Sequence, residues 1–144
     1  VTELLAHLFG DYVFQSHWMA TRKRASTLAC LAHVFVYGLM FLPLSPSTLA
    51  WSVLITTHFA LDHWGLADYW CRFWGVGVEG FMTRRLRWWH YESQCRDRFF
   101  GLHDNAVEPP TPLPESPPWL ATWLRIIVDN SFHLLINHLA LSQL

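Results

Sequence analysis

Three times in this chain a histidine and an aspartate stand four residues apart in otherwise apolar sequence. The pairs are His7 with Asp11, His58 with Asp62, and Asp129 with His133. Four residues is close to one helical turn, so each pair shares a helix face. A charged group taken out of water needs a partner or a metal. The polar faces must therefore meet. That requirement predicts an all-α fold, a compact helical bundle of four main helices with its polar residues inside.

The surroundings of those pairs are unusually greasy. Hydrophobic residues make up 52% of the chain and charged residues 15%, against roughly 25% charged in a soluble domain. A bundle of this composition is expected to be membrane-embedded. The formal net charge of -1 argues against nucleic acid and against an acidic substrate. The length, 144 residues, suits a single helical domain over 1–144. Cys30, Cys71 and Cys95 form no CxxC, which points to a reducing compartment or plain packing rather than a disulfide framework. No basic leader precedes an apolar run, so no signal peptide is expected.

The apolar periodicity predicts a first helix from Thr2 to Thr21, with His7, Asp11 and Gln15 on one face. The basic block Arg22, Lys23, Arg24 follows. A second helix is expected from Ser26 to Leu42, ended by Pro43 and Pro46. It carries His33 as its one ionisable residue, with Cys30 and Tyr37 on the same stripe. A third runs from Leu49 to Trp64, capped by Ser45 or Ser47 and stopped by Gly65. Leu66 to Gly80 reads as a short helix and a glycine-bearing loop. Phe81 to Phe100 interleaves arginines with Trp88, Trp89 and Tyr91, the pattern of an amphipathic interfacial helix whose arginines meet lipid headgroups. Residues 103–118 hold six of the eight prolines and are expected to be a surface connection. The last helix, starting near Ser116 and Pro117, carries Asp129, Asn130, His133, Asn137 and His138.

Imidazole and carboxylate pairs one turn apart offer two metal ligands from one helix. The candidate ligands are His7, Asp11, His33, His58, Asp62, Asp129 and His133. Seven donors exceed what one tetrahedral ion needs, so either two or more ions or one ion with supporting residues is expected. Zinc suits the donors best; manganese and iron are compatible. Asp62 lies in the last turn of its helix, where a negative charge opposes the helix dipole, so a positive group is expected beside it. His17, His63 and His138 read as structural, and His90 and His103 as facing solvent or headgroups. Each His/Asp pair taken alone also fits a hydrogen-bonded polar core.

The run LLAHLFGDYVFQSHWMATRK, with HFALDHW and DNSFHLLINH further on, resembles the three blocks of a small, largely uncharacterised family of bacterial and phage proteins expected at membranes. More loosely, the arrangement resembles inner-membrane proteins assigned as metal-dependent hydrolases, and through them the zinc-dependent phospholipase C and single-strand nuclease group. That resemblance implies the same seven ligands and a hydrolytic activity. The chain lacks the N-terminal Trp ligand of that group and is much shorter.

Two function classes follow. One is a membrane-associated metal-dependent hydrolase acting on a phosphate-containing or lipid-like substrate. In it Asp62 orients water, Gln15 holds a ligand or substrate, and Lys23 neutralises phosphate. The other is a non-catalytic bacterial or phage membrane protein whose metal or polar network is structural. In both, the partner is a lipid bilayer or its anionic headgroups. The positive-inside bias places the basic blocks on the cytoplasmic side of the bacterial inner membrane. A soluble bundle with a greasy homo-oligomer interface is the third reading.

Overall fold

The computed structural model describes residues 2–76, 81–99, 109 and 117–144, and for 81–83, 97–99 and 118 the backbone alone. The described residues are helical and contain no strand. In order they form α1 (Thr2–Leu8), α2 (His17–Arg22), α3 (Thr27–Phe41), α4 (Thr48–Trp64), α5 (Leu66–Trp74), α6 (Phe81–Phe99) and α7 (Pro118–Gln143). They divide into two compact units, Val1–Ala67 with Ile127–Leu144, and Asp68–Ile126. Apart from Pro109, Pro117 and Pro118, the proline-rich connection expected over 103–118 lies outside the described residues, as does His103.

In the first unit the helix boundaries follow local chemistry. Ser26 and Ser47 are extended residues whose hydroxyls accept from the backbone N–H of Ala29 and Ala50, opening α3 and α4. Gly65 ends α4 in the left-handed conformation, φ 61°, and a Cβ there would come within 2.9 Å of the Arg24 guanidinium. The Trp51 indole N–H donates to the Gly38 carbonyl at 3.1 Å, tying α4 to α3. The apolar core gathers Ala6, Tyr37, Phe41, Leu54 and Ala140, from α1, α3, α4 and α7.

The continuous helix expected from Thr2 to Thr21 is not formed. A π-turn over Phe9–Val13 follows α1, and α2 starts afresh at His17 behind the Ser16 cap. The cause is tertiary packing. Gly10 lies against Tyr37 so closely that a Cβ would meet Tyr37 Cδ2 at 2.6 Å and its Cα at 3.2 Å. The wider π-turn accommodates this approach, closed by the Phe14 N–H donating to the Phe9 carbonyl at 2.9 Å. Gln15 consequently leaves the face of His7 and Asp11.

The outer surface of this unit is apolar on α1, the π-turn and α3. Leu5, Phe9, Val13 and Phe14 are exposed there, as are Leu28, Leu31, Phe35 and Leu42. Among the described residues, Thr27–Leu44 is the one stretch long and apolar enough to cross a membrane, by length and composition. On α4 the exposed Thr48, Ser52 and Thr56 are polar, beside the exposed apolar Leu49 and Trp64, and the Ser52 and Thr56 hydroxyls donate back to carbonyls one turn earlier.

The second unit contains most of α5, all of α6 and the start of α7. Arg125 and Asp68 form an ion pair at 3.0 Å beside a cavity of about 210 Å³ lined also by Cys71, Arg72, Val76 and Ala121. On α6 both Arg84 and Arg85 and the rings of Trp88 and Trp89 are exposed.

Candidate metal centre

The polar residues of the first unit converge from four directions. The π-turn brings Asp11, α3 brings His33, and α4 brings His58 and Asp62. Asp129 and His133 come from α7. The spacing explains the convergence: His33 and Tyr37 are one turn apart on α3, as are His58 and Asp62 on α4, so each helix turns a polar stripe inward. His7, His33, His58, Asp62 and His133 are all at most 4% exposed.

Four donor atoms form a tight group. His33 Nε2 is 3.2 Å from Asp11 Oδ1 and 3.0 Å from Asp62 Oδ2. His58 Nε2 is 3.2 Å from each of the same two oxygens. The two imidazole nitrogens are 3.0 Å apart. Those are five of the six separations among four atoms, and the sixth is within 4.8 Å. A regular tetrahedron of such an edge has its centre about 1.9 Å from each corner, close to the ~2.0–2.2 Å of zinc–nitrogen and zinc–oxygen bonds. Asp11 Oδ1 and Asp62 Oδ2 are buried, and no hydrogen bond reaches either despite the nearby nitrogens. Two buried carboxylate oxygens that accept no hydrogen bond, facing two imidazole nitrogens hydrogen-bonded to each other at 3.0 Å, can hold a metal ion. A divalent cation would also balance the charge of the two carboxylates.

A second group shares Asp62 and adds Asp129 and His133. His133 Nε2 is 3.8 Å from Asp62 Oδ1 and 3.7 Å from Asp129 Oδ2, and it is buried without a hydrogen-bond partner.

The supporting residues are specific. Lys23 Nζ reaches Asp62 Oδ1 at 2.9 Å, so an ammonium supplies the positive charge that the position of Asp62 in α4 calls for. The backbone of Lys23 is held in turn: the His63 ring lies against Phe59, and its Nδ1–H donates to the Lys23 carbonyl at 3.0 Å. The Tyr37 ring stacks on His58 with centroids 3.6 Å apart, fixing that imidazole's plane. His7 stands outside both donor groups. Its Nε2–H donates to Asn130 Oδ1 at 2.8 Å, and its Nδ1 faces the Tyr37 hydroxyl at 3.2 Å and Asp11 Oδ2 at 3.3 Å. The Asn137 amide donates to the same Tyr37 hydroxyl at 2.7 Å. Gln15 donates to the Asp11 backbone carbonyl at 2.8 Å, so its amide braces the π-turn.

Electrostatics separates the acids. Burial by itself would raise the Asp11 carboxyl, but the imidazoles around it, His58 foremost, hold it well below the usual carboxylate range. Asp129 is shifted the other way, because burial outweighs the attraction of His133. Burial also lowers the proton affinity of His7, against the pull of Asp11.

Residues 1–74 match the model of a family described as proteins of unknown function, DUF3307. The chain belongs to the DUF3307 family. No curated protein and no solved structure matches it. All four residues of the tight donor group, and Lys23, fall inside the DUF3307 match; Asp129 and His133 fall outside it.

Of the residues singled out from sequence, Asp11, His33, His58 and Asp62 come together, and Asp129 and His133 join them through Asp62. Tyr37, Asn130 and Asn137 carry supporting roles that sequence reasoning did not assign. The signal for Tyr37 was its place one turn after His33. The other histidines are elsewhere: His17 is exposed, His138 contacts Glu3 at 3.2 Å, and His90 contacts Gln94 at 2.8 Å.

Proposed function

We propose that this DUF3307 protein is a membrane-associated, metal-dependent hydrolase acting on a phosphate-containing or lipid-like substrate. Zinc is the preferred ion, held by Asp11, His33, His58 and Asp62. The observation that carries this reading is the tight four-donor group with its two unbonded buried carboxylate oxygens. Such an ion activates water and polarises a phosphoryl or acyl oxygen. Asp129, partly exposed, lies at the edge of the site, where solvent and substrate can reach it. Lys23 is committed to Asp62, which turns its charge inward rather than toward headgroups. The apolar outer faces of α1, the π-turn and α3 support a bilayer as partner.

A specific observation favours a second reading, a purely structural metal. Four protein donors complete a tetrahedral shell, whereas catalytic zinc keeps a position open.

Protein prepared without added metal or a metal-affinity step, analysed for its elements and assayed on phosphodiester and phospholipid substrates, tests the proposal. About one equivalent or more of a transition metal, with hydrolysis that a chelator abolishes and zinc restores, is expected. Metal with no hydrolysis of any substrate class would establish the structural reading, and absence of metal would end both.

A further inference from the structure

Asp62 presents its two oxygens to different surroundings. Oδ2 belongs to the four-donor group, and Oδ1 faces Lys23 Nζ at 2.9 Å and His133 Nε2 at 3.8 Å. His133 is 2% exposed, and its Nε2 is an unpartnered buried atom 3.7 Å from Asp129 Oδ2. An imidazole nitrogen flanked by two carboxylates and bonded to neither repeats, at a looser spacing, the pattern of the first group. The two groups differ in access. The Asp129 side chain is 31% exposed, whereas the most exposed side chain of the four-donor group, Asp11, is 10%.

We propose that Asp62, Asp129 and His133 form a second divalent-cation position, bridged to the first by the Asp62 carboxylate, and that the Lys23 ammonium is the counter-ion it displaces. The inference deepens the metal reading above and rests on it. Three protein donors leave at least one coordination position free, and Asp129 is the most exposed of the three. The ion it takes is one that accepts an imidazole and two carboxylates, and an oxygen from water or a phosphate group completes its shell. In two-metal hydrolytic sites the ions lie ~3.5–4 Å apart, the separation a shared carboxylate spans. This division of labour reconciles a filled four-donor shell with catalysis: the first ion holds Asp62 in place, and the second meets the substrate.

Lys23 makes the second position conditional. Its ammonium holds the same Asp62 oxygen that the second ion needs. A part-exposed side chain with a four-methylene stem can swing outward when a divalent ion arrives. The second ion therefore binds more weakly than the first by the cost of breaking that ion pair. Removing the ammonium should tighten it.

Chelator-stripped protein titrated calorimetrically with zinc chloride alone, in phosphate-free buffer, tests this. Wild-type protein is expected to take two equivalents, the first tight and the second weaker. Asp129→Asn should weaken the second step at least about tenfold and leave the first in place. Lys23→Gln should tighten the second step by a similar factor. Asp129 is part-exposed, so its variant is expected to fold; His133→Gln reads the same step through the other donor. One tight equivalent in wild type, with no second, would overturn the second position while leaving the metal reading standing. A second step untouched by both Asp129→Asn and His133→Gln would do the same. Lys23→Gln leaving the second step unchanged or weaker would overturn the counter-ion role. No binding at all would remove the metal reading together with this one.

Discussion

The two oxygens of Asp62 face different groups, Oδ1 the Lys23 ammonium and Oδ2 the imidazoles of His33 and His58, and the residue next to it, His63, does something else again. Asp62→Asn keeps the shape of the side chain but removes the negative charge and one acceptor, which the imidazoles of His33 and His58 and the Lys23 ammonium all face. The expected outcome is metal content below ~0.2 equivalents, with a lower melting temperature because the stabilisation by bound ion is gone. His63→Asn should retain the metal and lose about 1 kcal/mol, the worth of its hydrogen bond to the Lys23 carbonyl. Elemental analysis and thermal melts of both variants check the contrast. A His63→Asn protein that loses its metal while Asp62→Asn keeps it would reverse the assignment of the α4 face. That face was readable in the sequence, because His58 and Asp62 are one turn apart and His63 is rotated by about 100°. The Lys23–Asp62 pair was not, since it joins positions 39 apart, and only its sign could be anticipated from the helix dipole.

At the scale of elements, the π-turn between α1 and α2 decides whether Asp11 reaches the site. Its close approach to Tyr37 is available to glycine alone. Gly10→Ala puts a methyl against Tyr37 Cδ2 and within 3.2 Å of the α3 backbone, which a side-chain rotation cannot relieve. A destabilisation of about 1–3 kcal/mol is expected. Metal affinity should fall with it, because Tyr37 is the ring on which His58 stacks. Ser47→Ala provides the contrast. It removes the α4 cap at a cost of about 1 kcal/mol, far in sequence from the donors on that helix, and should leave the metal bound. Denaturant unfolding and metal titration of the two variants, side by side, separate a local cap effect from a change at the site. The ends of α3 and α4 were legible because Ser26, Ser47 and Gly65 act through their own neighbours. The break in the first helix was not, because no local signal outweighs a periodicity that continues through Phe14. The contact with Tyr37 outweighs it.

For the whole molecule, the question is what covers the outer face of α3. Leu28 is 69% exposed and Phe35 60%. Full burial of such a side chain is worth roughly 1.5–3 kcal/mol each, so a bilayer is a favourable partner for this face. The expected outcome is that wild-type protein floats with liposomes through a density gradient. The double variant Leu31→Glu, Phe35→Glu, which changes two exposed positions away from the donors, should stay at the bottom with its metal content intact. Flotation of that variant at the wild-type level would remove α3 as the membrane contact. Monodisperse wild-type protein in the absence of detergent would favour the soluble oligomer instead.

The sequence by itself determined the all-helical class, the ends of α3 and α4, the approximate start of α7, and the inward polar stripes bearing His33, His58, Asp62 and His133. These depend on period, caps and prolines, which act within a turn or two of the residue concerned. Only the tertiary structure decided which donors meet. It drew Asp11, His33, His58 and Asp62 into one tight group, set His7 aside to hydrogen-bond with Asn130, and turned Lys23 onto Asp62. The reason is physical. Helical spacing fixes the direction of a side chain from its own axis, whereas a distance between donors on different helices depends on how closely those axes approach. That approach is set by packing, here of Gly10 against Tyr37 and of Tyr37 against His58.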